Sequence, residues 1–200
     1  MLTALVERII DYMIAHAVIP EEERESYAYS LEVVLGSCSF WLIMLCLIIA
    51  FDQILPTVFY LGWFFLFRSV TGGYHAHTHF RCITLSVLFY LGFIGLYTQL
   101  SSKAYFPLTL LLIGVTVLLV LLFAPVDHSN KPFSLSEKQL YRRRSCQRLI
   151  CFILFEAVVI FLGWTSLAFS AALGAAQSAV FLLIAYYVRK EERNYEGILS

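Results

Sequence analysis

Charge is scarce in this chain: only 14% of its 200 residues are Asp, Glu, Lys or Arg, against 60% hydrophobic residues. A soluble domain of this size needs more polar surface to cover its core, so composition excludes that class. Net charge is zero, which removes the field that gathers nucleic acid, and no nucleic-acid partner is expected. The five cysteines, Cys38, Cys46, Cys82, Cys146 and Cys151, contain no Cys-x-x-Cys pair. Their odd number and spacing resemble neither a disulfide framework nor a paired-cysteine zinc site. Cys38 and Cys46 stand inside an apolar run, where a thiol behaves as a small hydrophobe. The first nineteen residues lack an unbroken apolar core, because Glu7, Arg8 and Asp11 interrupt it, and so do not read as a signal peptide. Repeats, linkers and low-complexity tracts are absent, and the chain reads as a single membrane domain over 1–200.

What is present is long apolar runs. Six segments, at about 31–51, 54–67, 83–99, 105–124, 149–164 and 166–188, predict an all-α polytopic membrane protein with six transmembrane helices. The second is short for a span of ~20 residues. It crosses if it extends through Arg68–Thr71, and otherwise it is re-entrant. Before them, Leu2, Leu5, Val6, Ile9, Ile10, Met13 and Ala17 recur at helical spacing opposite charged residues, which predicts an N-terminal amphipathic helix at the membrane interface. Pro20 suits the first position of a second helix, with Glu21, Glu22 and Glu23 in a first turn whose dipole favours negative charge. The expected organisation is an interfacial region over 1–30, a six-span bundle over 31–188 and a tail over 189–200.

Placement of the cations sets the orientation. With six spans, thirteen of the fourteen Lys and Arg residues fall on one side and Lys103 alone on the other. Positive charge is retained in the cytoplasm during insertion, so both termini are expected there, in the cell membrane.

Two loops carry chemistry. The first, Arg68-Ser-Val-Thr-Gly72-Gly73-Tyr-His75-Ala-His77-Thr-His79-Phe-Arg81-Cys82, gathers three of five histidines at a membrane boundary. Ionisable groups there are costly and mark functional candidates. Gly72-Gly73 permits a sharp bend before His75. An imidazole can take the proton of a thiol, and the thiolate is the nucleophile. In a continuous helix the seven residues from His75 to Cys82 rise ~10.5 Å, too far for a hydrogen bond. A Cys–His pair therefore requires the chain to leave helical geometry between them. A helix starting at Thr78 or His79 would put Cys82 in its first turn, where the dipole favours a thiolate. Three readings fit this loop: interfacial polar residues, a His-x-His-x-His metal site with Cys82 as a further ligand, and a catalytic pair. The second loop, Ala124-Pro125-Val126-Asp127-His128-Ser-Asn130-Lys131-Pro132, precedes Arg142-Arg143-Arg144. Contact with anionic membrane lipid and docking of an acidic peptide both suit it.

Arg68-x-x-x-Gly72-Gly73-x-His75 with Cys82 seven further on resembles the accessory gene regulator B (AgrB) family, as do the size, the six apolar segments, the amphipathic start and the Ala-Pro-Val…Asn-Lys-Pro loop. The resemblance implies a membrane cysteine endopeptidase with His75 and Cys82 as catalytic pair. Arg68 and Gly73 match the motif's arginine and glycine, with Gly72 beside them, and Lys131 and Arg142, Arg143 and Arg144 match its basic substrate-contacting residues. It implies cleavage of a short amphipathic (AgrD-like) propeptide near its C-terminus through an acyl-thioester. Closure to a thiolactone or lactone autoinducing peptide for quorum sensing would follow, with a homodimer as the assembly. No cofactor or metal is expected, and His77 and His79 receive no role. The reading from another class is a small polytopic transporter or metal-binding membrane protein using the histidine-rich loop. For it, Glu156 and Gln177 are the deep polar residues.

Overall fold

The computed structural model describes residues 2–71, 79–127 and 133–199, with side chains described over 5–71, 84–127 and 133–191. The elements are α1 (Leu2–Ala15), a 3-10 turn (Glu21–Glu23), α2 (Arg24–Phe51), α3 (Ile54–Thr71), α4 (His79–Gln99), α5 (Ser102–Phe123), α6 (Leu135–Phe161) and α7 (Thr165–Leu199). No strand occurs among the described residues.

Each expected apolar segment falls on a helix of its own, α2 to α7, although 105–124 runs one residue past the end of α5 and 149–164 three residues past the end of α6. Among the described residues four helices are long and apolar enough to cross a membrane: Glu21–Phe51, Ile54–Thr71, Ser102–Phe123 and Thr165–Glu191. α3 reaches this length because it runs on through Arg68 to Thr71. The apolar part of α4, Thr84–Gln99, is shorter. The apolar run after Arg148 shares α6 with a charged first half.

The chain divides into two compact units. In the first, which holds α1, α2 and α4 through Phe89, Val6, Ile10 and Ile19 form a small core with Met13, Leu31 and Leu35 packed on it. Arg24 at the start of α2 clamps α1: its Nη2 donates to Glu7 Oε2 at 3.0 Å and to Asp11 Oδ1 at 2.5 Å. The predicted amphipathic stripe ends two residues early. Ala17 adopts φ +54°, Ala17 N–H donates to Ile14 O and Val18 N–H to Met13 O, both at 2.9 Å. This paired closure satisfies the last carbonyls of α1 and stops the helix before Ala17 can join its face. Pro20 is likewise displaced by one position, preceding the 3-10 turn as its N-cap.

The second unit holds α3, the rest of α4, α5, α6 and α7. α7 packs along both α3 and α5. It can do so because its inner face is built of small residues: Ala168, Ala171, Ala172, Ala175, Ala176, Ala179 and Ala185 are all buried. At Gly174 the approach to α3 is backbone to backbone, since a Cβ there would run into the Tyr60 carbonyl. Aromatics fill the remaining space. Trp63 meets Phe152 edge-on with ring centroids 5.0 Å apart, and Tyr60 stacks on Phe93 at 4.3 Å. Two pairs of polar groups inside bridge helices: Thr57 Oγ1 lies 2.9 Å from Tyr90 Oη, and the Tyr60 hydroxyl donates to Gln177 Oε1. Ser134 and Glu137 close a reciprocal capping box at the start of α6, which fixes where this helix begins.

Candidate functional site

His75, Gly72, Gly73 and Lys131 lie outside the described residues, and so does the pairing of His75 with Cys82. The possible metal set of His75, His77, His79 and Cys82 lies outside the described side chains as well. What the structure places is the frame on which the first loop begins and ends. α4 starts at His79, so the backbone of Cys82 falls in its first turn.

On the other side of the loop, the last two turns of α3 are tied down at three points. Arg148 Nη1 donates to Leu66 O at 3.2 Å, Ser145 Oγ donates to Val70 O at 3.1 Å, and Val126 N–H donates to Thr71 O at 3.1 Å. The final carbonyls of a helix have no partner within it. Here α6 and the 124–127 segment supply partners. α3 therefore ends anchored at Thr71, and the second loop of the sequence is hydrogen-bonded to the first at that residue. Beside it, Asp127 Oδ1 stands 3.8 Å from Arg189 Nε, with both side chains less than a fifth exposed.

The cations divide by what they touch. Arg68 lies in the last turn of α3 with its guanidinium 5.9 Å from the Phe64 ring centroid and 5.3 Å from that of Phe181. The planar cation is held against two aromatic rings. Arg142 caps α5: its Nη1 donates to Ala124 O at 2.5 Å and to Val120 O at 3.4 Å, and its Nη2 to Leu121 O at 2.6 Å. Arg143 and Arg144 are exposed, with Arg144 set 5.8 Å over the Tyr141 ring. The Arg142–Arg144 run is thus one residue built into the fold and two facing outward.

Sequence reading passed over Ser145, Arg148 and the Asp127–Arg189 pair. The signal for them was weak, because a serine or arginine within a charged helical half reads as solvated surface. Of the two deep polar residues, Gln177 is engaged by Tyr60. Glu156 is 1% exposed, and neither carboxyl oxygen has a hydrogen-bond partner among the described residues. Among the described residues no three His, Cys, Asp or Glu side chains are grouped to hold a metal.

Compared with known families, the chain matches the model for accessory gene regulator B over residues 6–188. No curated protein matches it, and no solved structure does.

Proposed function

Since the chain belongs to the accessory gene regulator B family, a family that points to processing of a quorum-sensing autoinducer at the membrane, we propose that it is a cysteine endopeptidase with Cys82 as nucleophile and His75 as its base. The observation that carries this reading is the Gly72-Gly73-x-His75…Cys82 spacing, together with a helix start at His79 that sets the Cys82 backbone in a first turn. A helix N-terminus favours the thiolate, which is the attacking species.

In the proposed reaction His75 takes the Cys82 proton and the thiolate attacks a peptide carbonyl near the C-terminus of an amphipathic, AgrD-like propeptide. The amide C–N bond breaks, the imidazolium protonates the leaving amine, and the peptide remains as a thioester on Cys82. A cysteine or serine side chain of the same peptide then attacks that thioester. This closes a thiolactone or lactone and returns the Cys82 thiolate. Transfer to a side chain rather than to water requires exclusion of water and a positioned internal nucleophile. Arg68, Gly72 and Gly73 support the loop, while Lys131 and the Arg142–Arg144 run, through its outward-facing Arg144, supply the positive field for an acidic tail.

The same proposal places six spans in the cell membrane, α1 at the interface, both termini in the cytoplasm and a homodimer as the working assembly. The charge asymmetry supports the orientation. Labelling of single introduced cysteines in intact cells is expected to find position 136 inside and position 102 outside. An exterior 125–148 loop would overturn the six-span arrangement.

Cys82→Ala and His75→Ala are each expected to abolish propeptide cleavage with insertion intact. Because nucleophile and base act as a unit, the double variant should be scarcely worse than either single one. Cys38→Ala, Cys46→Ala and Cys151→Ala should retain activity. Cleavage by Cys82→Ala would refute the assignment.

A further inference from the structure

Between the C-terminal end of α5 and the first turns of α6 lies an open groove of about 660 Å3. Its polar wall carries Lys138, Arg142 and Arg143, its apolar wall Leu122, Pro125 and Leu135, and among the described residues no carboxylate lines it. The α6 residues of the lining recur at helical spacing, so one face of that helix presents all three cations. Arg142 is held in place by the carbonyls of Val120, Leu121 and Ala124, which gives the groove a fixed positive floor. Lys138 and Arg143 stand exposed beside it.

The apolar wall continues beyond the groove. Leu122, Leu118 and Leu111 are 63%, 57% and 61% exposed and fall on one face of α5 at spacings of four and seven. From Leu122 to Leu111 the helix rises ~16 Å, about half of a ~30 Å hydrocarbon core and hence one leaflet. A cationic site at the end of an apolar helix, opening onto a leucine track one leaflet deep, matches the form of an anionic lipid. We propose that this groove binds an anionic membrane phospholipid, with its phosphate between Lys138 and Arg143 and one acyl chain along Leu122, Leu118 and Leu111. An acidic peptide tail would meet the charge but make no use of the track.

The test titrates the full-length protein in mild detergent with phosphatidylglycerol and, separately, phosphatidylcholine, counting bound lipid by native mass spectrometry. Phosphatidylglycerol should bind roughly tenfold or more tighter, and a Lys138→Gln/Arg143→Gln variant should lose that preference. Lys138→Arg/Arg143→Lys, which keeps both charges, should retain it, as should Arg144→Gln outside the lining. Equal retention of the two lipids overturns the proposal, as does an unchanged preference in the Gln/Gln variant. Displacement of phosphatidylglycerol by an equal concentration of a soluble oligoglutamate peptide would assign the groove to a peptide and overturn it too. Binding is read without turnover, so the result holds for Cys82→Ala protein and is independent of the peptidase reading.

Discussion

α2 and α7 are both long enough to cross a bilayer, yet only 11% of the apolar window of α2 is buried within the chain, against 67% of that of α7. α2 is also the more hydrophobic of the two. In water that order would be reversed, because burial there follows apolar area. In lipid the hydrocarbon tails are as apolar as leucine, and association follows close packing instead. α2 accordingly presents Val34, Leu42, Leu45 and Ile49 outward, while α7 turns a face of alanines and Gly174 toward α3. Hydropathy reports which helices meet lipid. Small residues report which helices meet each other.

The contrast can be broken most forcefully at Gly174. Gly174→Val must push a side chain into the Tyr60 carbonyl, which cannot swing away as a side-chain end can. We expect a loss of about 3 kcal/mol or more, above the usual ~1–3 kcal/mol for overpacking, and a collapse of thermal stability in detergent. An unchanged melting temperature would mean that α3 and α7 do not touch as described.

A smaller effect is expected at Arg142. Arg142→Gln removes charge-assisted bonds to the α5 end, each worth about 1.5–3 kcal/mol in favourable settings, and should lower stability measurably. Arg144→Gln should stay within about 0.5 kcal/mol, since its guanidinium rests on an exposed ring. Equal losses in the two variants would show that Arg142 is as much a surface residue as Arg144. The smallest change is expected on α2, where Ile49→Ala should leave the unfolding midpoint of the detergent-solubilised protein nearly unchanged. A loss of 2 kcal/mol, typical of a buried isoleucine, would reveal a packed partner for that face.

Much of the architecture was legible beforehand because it rests on local pattern. Runs of apolar residues located the helices. The site was legible only as a spacing of residue types, His75 and Cys82 above all. Two misreadings were of short range. The stripe of α1 was carried to Ala17, where a left-handed residue ends the helix, and Pro20 was placed one position too far along. Closing geometry of this kind depends on backbone angles that no periodicity records.

What the sequence determined by itself is the solvent this protein is built for, the place of its apolar segments, and the loop that carries its candidate chemistry. Each follows from transfer free energies and conformational preferences that act residue by residue. Tertiary structure alone decided which cations are tools of the fold. Arg142 reaches carbonyls 18 to 22 residues away, and Ser145 reaches Val70 across 75 positions. Helix-end carbonyls need partners, but which side chain supplies them depends on how the helices pack, and that is settled only when alanines, Gly174 and aromatic rings have fitted together.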